Sequence, residues 1–379
     1  MSALREKIEQ EIRERGPLPF SRYMEMCLYD PEFGYYSRNA AQFGKAGDFY
    51  TSSDVHAVFG RLLARQFEEM WRVLGSPACI TVKELGPGRG FFAQDMLDWS
   101  EKKFPDFFRT VRYVLDERSP SLRQRIEATL SRHLESGRAL LSSADVSTAQ
   151  IEPVIVFANE FFDALPVEIL SAKGSLRIDA REGRFVEVWA QASQEELEFL
   201  DRYSIHPEPE ERVEVSLQSQ AQMSAATSLT SGFVVVIDYG YTREEQLAGR
   251  HRGTVKAIRQ HSISANPYEA PGEQDVTADV NFTALAAVAE KQGMLTQKLV
   301  TQSQFLLGIG EVNEFADAFE DCRLPQERAK VAPQLKHLVT PAGMGESFHV
   351  LVASKGIEEE KTITLAGLNF GRARKHSSS

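Results

Sequence analysis

Cysteine is scarce in this 379-residue chain: Cys27, Cys79 and Cys322 stand far apart, with no CxxC pair. Three isolated thiols cannot form a disulfide framework and lack the spacing of a zinc site. Each is therefore expected to be a small buried hydrophobe in a reducing compartment, and no metal is expected. Long apolar runs are missing as well. No stretch approaches the ~18 residues that cross a bilayer, which excludes insertion through a membrane helix. Basic excess is also absent: 54 acidic against 43 basic side chains leave a net charge of -11. That balance argues against a broad nucleic-acid-binding face and is compatible with a basic partner. Residues Met1 to Gly16 alternate acids and bases, whereas a signal peptide needs an apolar core and a transit peptide avoids acids. The expectation is a soluble protein, in a bacterial cytoplasm rather than a mitochondrial matrix.

What is present is ordinary globular material, 42% hydrophobic and 26% charged, without internal repeats. This excludes bulk disorder and collagen-like structure. The length suits one large domain with insertions, or two domains. Ser2 to Arg15 carries charge on most faces and reads as a surface helix stopped by Gly16-Pro17. A Tyr/Phe/Gly-rich stretch from Tyr29 to Tyr50 reads as an ordered, irregular loop packed on something. Val55 to Leu74 has apolar residues at helical spacing.

From Cys79 onward, short apolar strands alternate with helices: Ile80–Leu85, Arg112–Leu115, Pro153–Ala158, Phe233–Asp238 and, last, Phe348–Ser354. Alternation of this kind predicts a parallel sheet with right-handed crossovers, an α/β fold. Leu176 to Trp189 alternates around Glu182-Gly183 and predicts a hairpin. The expected organisation is an N-terminal helical region with a lid loop (1–78), a first half of the α/β domain (79–170) and an inserted segment of hairpin plus helices (171–231). A second half follows (232–356), with an acceptor-side loop from His261 to Phe282, and then a tail (357–379). A loop as long as 261–282 is usually functional or mobile.

The strongest local signal is Glu84-Leu85-Gly86-Pro87-Gly88-Arg89-Gly90, between a strand and a helix. Glycines there let the backbone turn sharply and approach a ligand without a Cβ in the way. The tips of parallel strands are also where ligands bind. The spacing is GxGxG, not the GxGxxG of dinucleotide folds, and no Gly-Lys-Ser/Thr closes a P-loop. An acid two residues before the first glycine suits a cationic amino group better than a pyrophosphate. Gly86, Gly88, Gly90 and Glu84 thus point to S-adenosylmethionine (SAM) rather than NAD; a turn serving only the fold is the other reading. The second strand ends in Asp116-Glu117, either of which can accept hydrogen bonds from ribose hydroxyls or be a solvated loop acid.

A third feature, Asn159-Glu160-Phe161-Phe162-Asp163, follows the fourth strand. It places an amide and two carboxylates beside apolar walls, the composition of a binding pocket. Methyl transfer from a sulfonium mainly needs the acceptor lone pair to be aligned. Glu160 and Asp163 could hold a guanidinium, which pairs in bidentate fashion with carboxylates. Asn159 serves catalysis or the cofactor. Alternatively, Asn159 and Asp163 cap the next helix.

Taken together, these blocks resemble the MidA-like family of class I SAM-dependent methyltransferases, which includes a mitochondrial complex I assembly factor. The likeness runs from about Phe20 to Ser354. It is carried by Tyr29-Asp30-Pro31 with Gly34-Tyr35-Tyr36, Gly47-Asp48-Phe49 with Thr51-Ser52, the glycine loop, Glu117 with Ser119-Pro120, and Asn159 through Pro166. It continues in Ile237-Asp238-Tyr239-Gly240, Pro271-Gly272-Glu273 with Asp275 and Thr277, and Met344-Gly345-Glu346. The resemblance implies a Rossmann-like seven-stranded sheet, SAM as methyl donor with S-adenosylhomocysteine as product, and a protein arginine as the best-known acceptor. It implies a lid over SAM from Gly47, Asp48, Phe49 and Thr51. It also implies an acceptor side lined by Asp238, Tyr239 and the loop around Glu273 to Thr277, beside the apolar walls expected from Phe161 and Phe162.

Two departures bear on the acceptor. Ser52-Ser53-Asp54 stands where the family has Ser-Pro-Glu. Thr277-Ala278-Asp279-Val280-Asn281-Phe282 stands where it has Thr-Ala-His-Val-Asp-Phe, so a histidine is missing. A protein-arginine methyltransferase is the leading expectation. A small-molecule methyltransferase and a SAM-binding assembly factor with little catalysis are the competing ones. The oligomeric state, monomer or homodimer, is left open.

Overall fold

The computed structural model describes residues 3–38, 57–142, 152–259, 262–264, 266–341 and 343–370. Its centre is a mostly parallel sheet. The principal strands are β1 (Ile80–Leu85), β2 (Val111–Asp116), β3 (Ala139–Leu141), β4 (Val154–Asn159), β5 (Gly232–Tyr241), β6 (Leu295–Thr296) and β7 (Phe348–Lys355). They lie side by side in the order β6-β7-β5-β4-β1-β2-β3, with two-residue strands Val280–Asn281 and Val300–Thr301 attached to β5 and β7. β1 pairs in parallel with both β2 and β4, and β4 in parallel with β5, while β7 runs antiparallel to β5. β4 and β5 are buried almost throughout, as strands covered on both faces must be. Because the winding reverses at β1, a crevice opens beyond its carboxyl end, between the tips of β2 and β4.

Helices α1 (Ala3–Arg15) and α2 (Phe20–Tyr29) precede the sheet in the chain, and one face of the sheet is covered by α3 (Ala57–Val73) and α4 (Phe91–Lys103). Phe59, Phe67 and Met96 pack there with Phe157 of β4, and the rings of Phe92 and Phe157 lie 4.5 Å apart. The other face takes α5 (Leu217–Ala226) and α6 (Phe282–Lys291), whose Met223 and Leu285 meet Val156 and Val236. The Asn281 side chain accepts from the Ala284 amide at 3.0 Å and so caps α6, which explains how asparagine serves in place of aspartate there.

A second, antiparallel sheet joins Leu18–Pro19, Gly174–Arg181, Glu168–Ser171 and Val213–Val215, with Arg184–Ala190 paired to Gly174–Arg181. The predicted hairpin is there. Both turn residues, Glu182 (φ 51°) and Gly183 (φ 71°), are left-handed, the two-residue turn that matches strand twist. The stretch read as an insertion supplies most of this sheet, but strands from before it, 18–19 and 168–171, complete it.

Three expectations change. The helix Ala3–Arg15 is not a plain surface helix: Leu4, Ile8 and Ile12 recur every four residues, and this buried stripe packs on the second sheet. Of the cysteines only Cys27 is buried, while Cys79 and Cys322 are partly exposed, and all three are free. The long acceptor-side loop contains order of its own, since Ser262–Ser264 and Asp275–Thr277 both pair with Lys256–Arg259.

Candidate active site

The crevice at the tip of β1 is a cavity of about 590 Å³. Its floor is the glycine loop. Gly86 (φ 63°) and Gly88 (φ 55°) both sit in the left-handed region, which side chains other than glycine enter only at a cost. A Cβ on Gly86 would strike the Phe161 ring at 2.8 Å, whereas one on Gly88 would meet nothing within 4 Å and would project into open space. Gly90 does not line the cavity. Its missing side chain instead lets α4 approach Leu130 and Ile126, a correction to the cofactor role expected of it.

Acids surround this floor. Glu84 is buried, accepts from the Tyr113 hydroxyl at 2.8 Å, and burial pushes its carboxyl up to about 8. The charge of nearby Glu117 adds to the effect. A buried carboxylate with one neutral donor is a fitting partner for an ammonium group. Glu117 also faces the cavity; burial raises it to about 7, and the Ser119 amide, donating at 2.8 Å, opposes the rise. Asp116 lines the wall too, but Lys83 (2.8 Å) and the Ser142 hydroxyl (3.2 Å) already engage its carboxylate. Of the two acids, Glu117 is the one with room for ribose hydroxyls.

Beyond β4 the chain turns instead of entering a helix. Residues 160–166 lead straight into the strand Glu168–Ser171, so Asn159 and Asp163 cap nothing. Asp238, on β5, holds this turn: its Oδ2 accepts from the amides of Phe161 (3.2 Å), Phe162 (3.0 Å) and Asp163 (3.3 Å). Burial, with Asp163 and Glu160 nearby, raises the Asp238 carboxyl well above its usual range. Asp238 therefore acts on the protein's own backbone and not on a substrate. Phe162 is likewise corrected, being a core residue packed beneath the turn. Glu273 pairs with Arg259 at 2.7 Å and lines no cavity described here.

The turn presents the rest. Asn159 Nδ2 donates to Glu160 Oε1 at 3.2 Å, while Asn159 Oδ1 and Asp163 Oδ1 are buried without a hydrogen-bond partner. Both are polar atoms of the kind a ligand satisfies. Asp163 Oδ2 accepts from the Tyr239 hydroxyl at 2.5 Å, and burial moves the Asp163 carboxyl up to about 6. Glu160 has φ 50°, a left-handed backbone in a residue that is not glycine, such as functional sites often store.

Glu160 also lines a second cavity, of about 790 Å³, together with Tyr239 and Thr277, and its wall mixes the acids Asp279, Glu245 and Glu346 with Arg250, Lys256 and His251. The two cavities thus share one side chain, Glu160, in their wall. Gly47, Asp48, Phe49 and Thr51, expected as the lid, lie outside the described residues.

Sequence reasoning missed several cavity residues. Tyr29 and Tyr36 stack at 5.5 Å, and their hydroxyls donate to the Ala164 carbonyl (2.9 Å) and to Asp275 (3.0 Å). The aromatic stretch was legible as packed on something, but its target was not. Gln218 and Gln222, one turn apart on α5, complete the wall. Nothing in their sequence context marks them.

An acid for an ammonium, a second for a ribose, an unsatisfied amide oxygen and a glycine edge without Cβ together fit SAM. This is a class I SAM-dependent methyltransferase. Residues 62–300 match the model of a family described as S-adenosyl-L-methionine-dependent methyltransferases, and the chain belongs to that MidA-like family. It is 30% identical to the Drosophila melanogaster protein named "Protein arginine methyltransferase NDUFAF7 homolog, mitochondrial", over 94% of this chain and 85% of that one. The Homo sapiens protein of the corresponding name is 26% identical, covering 89% and 80%. A crystal structure from Burkholderia thailandensis with bound S-adenosyl-homocysteine superposes with a TM-score of 0.79 at 27% identity, covering 94% of this chain and 92% of that one.

Proposed function

We propose that this methyltransferase acts on an arginine side chain of a protein. The observation that carries the reading is Glu160, a carboxylate common to the donor cavity and to a second cavity whose wall holds the further acids Glu245, Asp279 and Glu346, two of them paired with Arg250 and Lys256. Bound SAM supplies an electrophilic methyl on a sulfonium. The chain's own residues then do the rest. Glu84 takes the ammonium of the cofactor, Glu117 its ribose, and the Gly86–Gly88 edge lets the backbone approach. Asn159 Oδ1 is a further acceptor at the same place. Glu160 and Asp163 orient the guanidinium and draw its charge toward one side, leaving a nitrogen of the other side aimed at the methyl. Tyr239 fixes Asp163, and Asp238 fixes the turn on which both carboxylates sit.

The names of the relatives support the same acceptor, as does a net charge of -11, which favours a basic partner. Incubation of the enzyme with methyl-labelled SAM and a cell extract, followed by acid hydrolysis, tests the proposal. Label is expected in methylarginine. Label confined to small metabolites would replace it with the small-molecule reading.

A further inference from the structure

An imidazole stands opposite Asp279. His251, in the loop after the helix Arg243–Leu247, places Nδ1 2.9 Å from Asp279 Oδ2. Its ring stacks on the buried Tyr241 at 5.2 Å and 20°, so its orientation is fixed from two sides. Both His251 and Asp279 line the second cavity. We propose that His251, oriented by Asp279, is the group that takes the proton released on methylation; this rests on the second cavity being the acceptor side.

Methylation of a guanidinium nitrogen forms one N–C bond from a nitrogen lone pair. It breaks the S–C bond, whose electrons stay on sulfur, and frees one N–H proton. The Asp279 oxygen facing Nδ1 selects the tautomer in which Nδ1 carries hydrogen, which leaves the lone pair on Nε2. The proton goes to that lone pair, and the Asp279 carboxylate stabilises the imidazolium formed. Lys256 reaches the other oxygen of Asp279 at 3.2 Å and holds that carboxylate in place.

Three other titratable groups around the cavity are less suited, and Glu160 is already assigned to the guanidinium. Glu245 accepts from the Thr242 amide at 2.9 Å, in the cap of its helix, and pairs with Arg250 at 3.4 Å. Glu346 is exposed. His349 carries a buried Nδ1 without a partner, and burial lowers its pKa, so its charged form is disfavoured. Among the described residues, His251 alone joins an imidazole to a bonded carboxylate on this cavity.

The left-handed backbone at His251 (φ 56°) makes a clean test available, because glycine sits there without strain. His251→Gly should bind S-adenosylhomocysteine as the wild type does and keep its melting temperature. Its turnover should fall about a hundredfold, and added imidazole should restore part of it. Wild-type turnover in His251→Gly, or a loss that imidazole does not relieve, would overturn the proposal. An independent readout is the nitrogen NMR spectrum of the resting enzyme, with the His251 signal assigned by its disappearance in His251→Gly. The Nδ1–H tautomer is expected, and the Nε2–H tautomer would overturn the assignment without reference to any acceptor. Imidazole rescue with label in a residue other than arginine would uphold His251 and refute the arginine reading. Label in small metabolites alone would refute the protein reading, and only the absence of imidazole rescue of that labelling would refute His251.

Discussion

Glu84 makes the cofactor site testable through protons. Its carboxyl stands at about 8 because it is buried, so at pH 7 roughly nine-tenths of it is protonated. Pairing with the ammonium of S-adenosylhomocysteine requires the ionised form. Binding at pH 7 should therefore release about 0.9 proton from this group. Affinity should climb as pH rises toward 8, because less work is needed to ionise the acid. The gain from pH 6 to 7.5 is about twentyfold, a window in which the free α-amino group, near 7.8, is still mostly charged. Glu84→Gln has nothing to ionise at that position. It should bind about tenfold or more weakly at pH 7.5, the scale of a hydrogen bond to a charged group. Its proton release should fall by about 0.9 relative to wild type. Glu117, raised to about 7, titrates in both proteins, and because its charge acts on Glu84 the difference between them counts the coupled pair. Calorimetry in buffers of different ionisation enthalpy counts the protons directly. Equal proton release and equal pH dependence in the two proteins would refute the pairing of Glu84 with the ammonium.

Gly88→Val should abolish S-adenosylhomocysteine binding in calorimetry while the fold survives. The left-handed backbone costs about 1–2 kcal/mol, and the new Cβ meets no protein atom within 4 Å; unchanged affinity would remove this loop from the cofactor site. Asp238→Ala strips the acceptor from three amides, two of them buried and worth about 1–3 kcal/mol each when unsatisfied. Denaturant unfolding should report a loss of several kcal/mol together with slower methylation, and a loss below about 0.5 kcal/mol would mean that the turn supports itself. Asp163 stands in the wall of the donor cavity, and Asp163→Ala should lose more turnover than S-adenosylhomocysteine affinity; equal loss of both would assign it to the cofactor or the scaffold.

The glycine spacing, the acid before it and the acid ending the second strand were readable because each is a local requirement. A left-handed φ at Gly86 and Gly88 admits few residues other than glycine, and a strand tip fixes where the neighbouring acid points. The same holds for strands β1, β4 and β5, whose apolar runs declare burial on both faces, and for the hairpin turn at Glu182-Gly183.

Roles that depend on distant partners stayed illegible. Asp116 and Glu117 are adjacent in the chain, and only the approach of Lys83 and Ser142 engages one and leaves the other to the cavity. Asp238 looked like a substrate contact until the turn of residues 161–163 was seen folded onto its carboxylate. Phe161 and Phe162 are neighbours with opposite fates, one on the cavity and one in the core. The replacement of a histidine by Asp279 reads as a loss in sequence, and it becomes a pairing only when His251, 28 residues earlier, is brought within 2.9 Å. Local backbone geometry and hydrophobic periodicity act over a few residues, so the chain alone marked the glycine loop and the buried strands. Desolvation and charge pairing act across the fold, and they decided which acids face the cavities and which are held by the protein itself.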